Sequence, residues 1–489
     1  MKHIATINKE FLKNWWDRLT RLNQEKYLKS HPNSELRRTL KATKEQESVK
    51  LLESIVKKSP FRNKSFLAGG YVRDEILGRP SKDIDITVAE FDGGIKLAEY
   101  IAKQLDIREP VVFPTFGTAK IQLKNGVEVE FVQTRNEEYV QGSRKPETSY
   151  GTIQEDVERR DFTINTLLKD LTTGKILDLT GKGLQDLKDG IIRTPLDPDI
   201  TFNEDSLRMM RCVRFSTKYN FKLADNIIPA LQKNAHELQS ISKERIRDEL
   251  DKILLTKRPS IGMNLLKDTG LLKEFMPELL RLVGLEQGRH HYTDAWNHTM
   301  DVLDHTPPDL LTRLGALLHD VGKPDTKSVT ETGDVHFYKH DMESARIAKD
   351  VLTRMKYPND MIDNVSKLAD SHMKTIAVDN WNNPAIRRFV RDMGDLLPNV
   401  LDLTKADRKA HKGADLESFD RFIGRIEQLK KEAPIQTMKL PITGNEIMQI
   451  LNIKQGPAIG KIVNFLNEKQ LENPLMTKEE AVKLVKDNF

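Results

Sequence analysis

Residues 69–88 read GGYVRDEILGRPSKDIDITV, from Gly69 to Val88. A glycine pair opens the segment, a helix-like YVRDEIL follows, and DIDITV closes it with the alternation of a β-strand. In a strand, Asp83, Asp85 and Thr87 share one face, while Ile84, Ile86 and Val88 share the other. Two carboxylates at neighbouring positions of one face repel, and a shared site then requires a cation. Mg²⁺ meets that need with oxygen ligands and keeps positions open for phosphate oxygens. Two such ions suit in-line displacement at phosphorus. Gly69 and Gly70, ahead of a helix, leave backbone N–H groups free to cradle phosphates. The alternative for DID alone is an edge strand with a solvated face.

Outward from this segment, FLAGG places a strand before the glycine turn. IQLKNGVEVEFVQTR (121–135) reads as a hairpin with a type I′ turn at Asn125-Gly126. Glu128 and Glu130 fall on one face of its second strand and offer a third carboxylate. Residues 60–180 therefore form a small α/β domain with a mixed or antiparallel sheet. After LDLTGKGLQDLKDG (177–190) strand character vanishes. Asn203 is placed to cap a helix over EDSLRMMRCVRF, and Ser242 one over KERIRDELDKIL. Residues 285–430 are helical and hold most of the histidines. LPITGNEIMQILNIKQGPAIGKIVNFL reads as two helices about the Gln455-Gly456-Pro457 break. Residues 1–59 form a polar helical extension, with Trp15-Trp16 as a packing point.

The chain has 489 residues, 38% hydrophobic and 31% charged, which fits a soluble protein of two to four domains. One cysteine, Cys212, excludes an internal disulfide framework and suits a reducing compartment; within its helix it is expected to pack. No apolar run reaches membrane-spanning length, and the charged N-terminus has no signal-peptide core. A cytoplasmic location is the expectation. The net charge of +5 identifies no partner. The first sixty or so residues carry roughly twice as many basic as acidic side chains, which suits either a nucleic-acid backbone or a solvated helix.

Three further constellations stand out. ERRDFTIN places Arg159, Arg160 and Asp161 at a helix entry. Guanidinium forks suit triphosphate oxygens and a carboxylate can accept from a ribose hydroxyl; the alternative is an ordinary ion pair. EDSLRMMRCVR puts Asp205, Arg208 and Arg211 at three-residue spacing on one helix face, with a surface salt bridge as the alternative. HHYTDAWNHTMDVLDH, LLHDVGKP, HFYKHDMES, DSHMK and LTKADRKA supply His298, His319, Asp320 and Asp407 in the H…HD…D order of HD phosphohydrolases. His340 and His372 extend the set toward a second metal. Imidazole and carboxylate together suit a transition metal such as Ni²⁺ or Mn²⁺ that activates water. His290 and His291 are read as bordering its entrance.

GGYVRD, DIDIT, RRDFTINTLL and EDSLRMMRCVRF, in this order, resemble the class II tRNA nucleotidyltransferases. That family comprises the CCA-adding enzymes and bacterial poly(A) polymerases of the polymerase-β superfamily. The resemblance runs from about residue 60 to the C-terminus. It implies an α+β chain: a polymerase-β-like head with a mixed five-stranded sheet, then an all-helical neck, HD body and tail. The corresponding spans are 60–180, 181–284, 285–430 and 431–489. It also implies that Asp83, Asp85 and Glu130 hold Mg²⁺, aligning an RNA 3′-hydroxyl with the α-phosphate of CTP or ATP. Gly69, Gly70, Arg73, Arg160 and Asp161 would meet the nucleotide. Asp205 and Arg208 would act as a protein template for the base, with Arg211 and Arg214 near the phosphates. The implied partner is the 3′ end of tRNA, and the implied activity is CCA addition with a possible HD phosphohydrolase activity beside it. Poly(A) synthesis, or addition of A alone or CC alone, draws on the same motifs. An HD phosphohydrolase with a merely RNA-binding head is the rival from another class. No protein partner is readable.

Overall fold

The computed structural model describes residues 35–81, 83–138, 147–287, 293–375, 378, 381–411, 415–433, 435 and 439–489. Trp15-Trp16, most of the basic extension, His290 and His291 lie outside these residues. The chain divides into two compact units, residues 1–237 and 238–489. No helix among the described residues is long and apolar enough to cross a membrane.

In the first unit, helix α1 (Glu35–Val56) buries Val49, Leu52 and Val56. The sheet is built from β1 (Ser65–Ala68), β2 (Ile84–Val88), β3 (Val111–Phe113), β4 (Thr118–Gln122) and β5 (Glu128–Gln133). After the β6–β7 hairpin (Arg135–Glu138, Glu147–Tyr150) come β8 (Leu168–Asp170) and β9 (Ile176–Leu177). The order is β3-β4-β5-β2-β1-β8-β9, seven strands rather than five. The edge strands β3 and β9 have three and two residues, too short to give a periodic signal. All neighbours are antiparallel except β2 and β5. β2 is thus an interior strand, which removes the solvated-edge alternative: Ile84, Ile86 and Val88 are buried on one face, and so is Thr87 on the other. Helices α2 (Gly70–Ile76), α3 (Gly93–Leu105) and α4 (Ile153–Glu158) accompany the sheet.

The β4–β5 turn is not type I′. That turn requires positive φ at both central residues, and here Gly126 has φ +83° while Asn125 does not. Leu123 N–H donates to Val127 C=O at 2.8 Å, so the loop holds three residues and its one left-handed position falls on glycine.

Downstream lie α5 (Gly183–Asp189), α6 (Pro198–Glu204), α7 (Leu207–Tyr219) and α8 (Ile227–Asn234). This region is not purely helical: β10 (Ile191–Ile192) pairs in parallel with β11 (Lys222–Leu223). Asn203 is not the expected cap. Pro198 starts α6 early, with the Asp197 carboxylate accepting from Asp199 N–H, and Asn203 lies inside that helix; Ser206 precedes α7.

The second unit is helical: α9 (Lys243–Leu254), α10 (Pro259–Asp268), α11 (Ala295–His305), α12 (Leu310–Leu318), α13 (His340–Arg354), α14 (Asn359–Ser371), α15 (Asn383–Met393), α16 (Leu397–Ala410) and α17 (Leu416–Glu432). Ser242 caps α9 by accepting from Arg245 N–H. A short hairpin, β12 (Lys327–Val329) with β13 (Val335–Phe337), interrupts the expected all-helical run. Its three-residue strands lie below the length at which alternation can be read. The C-terminal segment folds as α18 (Gly444–Leu451), α19 (Pro457–Glu472) and α20 (Lys478–Asn488) around Ile447, Ile462, Leu466 and Val485. Gly456-Pro457 starts α19, as glycine before a helix-opening proline should.

Candidate functional site

Parallel pairing of β2 with β5 sets Asp85 directly beside Glu130. Antiparallel pairing of β4 with β5 sets Lys120 on the other side of Glu130, with Nζ 3.1 Å from its carboxylate. Asp83 sits one residue before β2 and is exposed. Burial, then the charges of Glu130 and Asp83, push the Asp85 carboxyl up from 3.8 to about 6, against the pull of Arg160 and Lys120. A carboxyl raised first by burial and then by two neighbouring carboxylates gains from a cation placed beside it. The donor set is all oxygen, which suits a hard divalent cation. Among the described residues, the sets of three ligands within 4.8 Å of one another both lie in the second unit, so this triad is more open than those.

Gly69, at φ +62°, turns the chain from β1 into α2. A Cβ there would be strained by that φ and would stand 3.2 Å from Arg160 Nη1. Gly70 opens α2. Arg160 donates from Nη2 to Asp156 at 2.9 Å and to Thr87 at 3.3 Å, and thereby stands on the Asp85 face of β2. Arg73 is buried. It donates to both Asp74 oxygens and to Asn165 Oδ1, and its guanidinium lies over Phe215 and Tyr219. Its visible role is to tie α2 to the RRDFTIN segment and to α7.

Asp161 is also enclosed. Its Oδ1 accepts from Phe162 N–H and Asn165 Nδ2, and its Oδ2 from Arg211 Nε and Nη2 at 2.9 and 2.5 Å. Burial alone would raise this carboxyl, but Arg211 holds it below its ordinary range. Arg214 and Arg211 lie over the Phe215 ring, 4.4 and 5.5 Å from its centroid. Asp205 and Arg208 do not share a helix face. Asp205 is extended, ahead of α7, and its Oδ1 accepts from Leu207 N–H. Arg208, buried in α7, donates to Glu204 Oε2, Thr201 C=O and Arg159 C=O. The expected ion-pair alternative is therefore filled by Glu204, not by Asp205. Sequence reading passed over Asp156, which is buried beneath Arg159 and Arg160 and linked to both. Its signal was three- and four-residue spacing in DVERR.

The second constellation converges into two groups of side chains that could hold metal ions. His298, His319 and Asp407 form one ligand group and Asp320, His340 and His372 the other. The Asp320 carboxylate joins them: Oδ2 is 3.2 Å from His319 Nε2 and 3.7 Å from His298 Nε2, and Oδ1 is 3.3 Å from His340 Nε2 and 3.8 Å from His372 Nε2. Asp407 Oδ1 lies 3.0 Å from His298 Nε2. The Nδ1 atoms of His319, His340 and His372 lie 2.7, 2.8 and 2.6 Å from the backbone carbonyls of Ala316, Phe337 and Ala369. Donation there fixes the tautomer that turns each Nε2 lone pair inward, the arrangement metal-bound imidazoles use.

His319 Nε2 is buried and makes no well-aligned hydrogen bond, although Asp320 Oδ2 stands 3.2 Å away. An inward nitrogen so placed amid carboxylates fits a divalent ion, and mixed imidazole and carboxylate donors fit Ni²⁺ or Mn²⁺. Burial lowers His298 and takes His372 down to about 3. Burial works against the ionised Asp320, yet His319 and Lys323 hold its carboxyl well below the usual range. Two neighbours escaped the sequence reading. Lys323, in HDVGK, donates to Asp320 Oδ2 and Gln287 Oε1, each at 2.6 Å. His411, four residues past Asp407, has Nδ1 3.6 Å from Asp407 Oδ1.

Three family models match: "Poly A polymerase head domain" over 65–193, "Probable RNA and SrmB- binding site of polymerase A" over 220–282, and "HD domain" over 290–411. The CC-adding tRNA nucleotidyltransferase of Thermus thermophilus is 32% identical over 430 residues, spanning 85% of this chain and 92% of the relative. The A-adding tRNA nucleotidyltransferase of Deinococcus radiodurans is 32% identical over 346 residues, spanning 67% and 78%. Among solved structures, the Bacillus stearothermophilus CCA-adding enzyme in complex with CTP superposes with a TM-score of 0.65 at 22% identity, covering 86% of this chain and 92% of that one. At that identity the likeness is one of fold.

Proposed function

The chain belongs to the tRNA nucleotidyltransferase and poly(A) polymerase family, and from that premise we propose that it adds C, C and A to the 3′ end of tRNA from CTP and ATP. The observation that carries this reading is the Asp85–Glu130 pairing, with Asp83 ahead of it. Asp83, Asp85 and Glu130 would hold Mg²⁺, which supplies charge neutralisation at the triphosphate and a more acidic 3′-hydroxyl. The 3′-oxygen bonds to the α-phosphorus, the bond to the β-phosphate oxygen breaks, pyrophosphate leaves, and the hydroxyl proton passes to solvent. Arg160, on the Asp85 face, offers its guanidinium to the triphosphate. Asp156 and Asn165 aim Arg160, and Arg73 and Asp161 hold Asn165. Asp205 and Arg208 present the acceptor and donor edge for the base, with Arg211 and Arg214 near the phosphates.

In this reading residues 60–180 serve as the head, 181–284 as the neck, 285–430 as the HD body and 431–489 as an RNA-holding tail, and the protein works in the cytoplasm. The HD body is a phosphohydrolase that uses Ni²⁺, Mn²⁺ or a similar ion held by His298, His319, Asp320, His340, His372 and Asp407. A second reading, addition of CC alone or A alone, is favoured by the names of the two relatives from Thermus and Deinococcus. Purified protein is incubated with tRNA lacking CCA and with tRNA ending in CC, with CTP and ATP singly and together. CCA addition predicts full ends from both primers. Extension stopping at CC, or occurring only on the CC primer, supports the second reading, and long A tracts support poly(A) synthesis.

A further inference from the structure

The cavity over the HD ligands measures about 340 Å³, which suits a ligand the size of one nucleotide. Part of its lining comes from the β12–β13 hairpin and the residue after it: Val335, His336, Phe337 and Tyr338. His336 and Tyr338 are two residues apart and so lean to one side. Their rings stack with centroids 5.2 Å apart and planes at 16°. Tyr338 is nonetheless 70% exposed. Among the described residues its hydroxyl has no hydrogen-bond partner. A tyrosine kept flat on a histidine, open to solvent at the rim of a phosphoester site, contributes little to folding. Its free ring face is the kind of surface on which bases stack.

We propose that His336 and Tyr338 form a base-stacking platform, so that the cavity takes the phosphoester of a nucleoside, its phosphate toward the six ligands and its base against Tyr338. This rests on the phosphohydrolase reading of the HD body. In the reaction, a water oxygen bonds to phosphorus, the ester P–O bond breaks, and a proton from the water ends on the departing sugar oxygen. The nucleoside can be that of a free mononucleotide or of an RNA end.

The full-length protein with Mn²⁺ or Ni²⁺ is assayed for phosphate release from AMP, ribose 5-phosphate and a trinucleotide carrying a 5′-phosphate. The wild type should favour AMP over ribose 5-phosphate by roughly 5- to 100-fold in kcat/KM, the range that base–aromatic stacking supplies. Tyr338→Ala should erase that preference by raising KM for AMP while leaving ribose 5-phosphate unchanged; Tyr338→Phe should keep it. Tyr338 is exposed, so these variants should fold. An equal wild-type rate on AMP and ribose 5-phosphate, or an undiminished preference in Tyr338→Ala, overturns the platform. A trinucleotide better than AMP identifies RNA as the source, and the reverse a free nucleotide. If nothing is hydrolysed, the phosphohydrolase reading falls. Calorimetric binding of AMP then decides the platform: weaker binding to Tyr338→Ala than to wild type supports it, and equal binding refutes it.

Discussion

Asp85→Asn should make the metal-free protein more stable at neutral pH while destroying nucleotide addition. Asp85 in the folded head is held up at about 6, against an ordinary 3.8. A carboxyl raised on folding binds its proton more tightly in the native than in the unfolded state. Stability therefore falls as pH rises from about 4 to about 6, and the loss is complete above that window. A shift of about two pKa units corresponds to at most about 3 kcal/mol at pH 7. Solvent reaching Asp83 and the Lys120–Glu130 pair reduces this, and about 1–2 kcal/mol is the working figure. In a unit of this size that is about 2–8 °C in Tm. The assay is thermal unfolding of wild type and Asp85→Asn at pH 5 and pH 7, in EDTA and in Mg²⁺. In EDTA the variant should exceed wild type at pH 7, and the difference should shrink at pH 5. Mg²⁺ should raise the wild-type Tm and leave the variant nearly unmoved. Nucleotide incorporation should drop on the order of 100-fold or more, since the lost ligand acts on the transition state. A variant less stable than wild type at pH 7 in EDTA, or one that still adds nucleotides at near-native rate, would refute the assignment.

His319→Ala combined with Asp320→Ala should abolish metal-dependent phosphoester hydrolysis and leave nucleotide addition intact; loss of both activities in a folded variant would show that the two sites are coupled. Asp161→Asn should lower Tm, because the buried side chain at position 161 then offers the partly exposed Arg211 only a neutral acceptor. Because Arg211 is about one-third exposed, the loss should fall below the ~3–5 kcal/mol of a fully buried pair, and a Tm equal to wild type would show that the pair contributes nothing to folding. Asp205→Ala and Arg208→Ala should each lower kcat/KM for CTP and ATP and relax rejection of UTP and GTP. Retention of the wild-type ranking of the four nucleotides would leave these residues without a template role.

Period-two alternation made the central strands legible, because an interior strand with one apolar face must alternate. That placed Ile84, Ile86 and Val88 in the core and Asp85 opposite them, as the structure has it. What alternation cannot carry is register. Glu128 and Glu130 share a face, and only the β2–β5 pairing sets Glu130, rather than Glu128, against Asp85. Edge strands of two or three residues and the β12–β13 hairpin were illegible because their runs are shorter than the period needs to show itself. The convergence of the HD side chains was readable from residue type and the H…HD…D order, since imidazole and carboxylate donors gathered in one helical region have few other uses. Their arrangement into two groups bridged by Asp320 depends on the packing of α11, α12, α13, α14 and α16, which no local pattern encodes. The spacing argument failed most instructively at Asp205 and Arg208. Three-residue spacing implies a shared face only inside one continuous helix, and Asp205 is extended between two. Pro198 ends the ambiguity: it starts a helix whose last turn supplies Glu204 to Arg208, one residue earlier than the carboxylate the spacing suggested. For Arg208 to read a base, it must therefore present a guanidinium edge that Glu204, Thr201 and Arg159 leave uncovered, or release one of them. In the second case Glu204→Gln should loosen Arg208 and alter CTP and ATP use in parallel, a result that an uncovered edge would not produce.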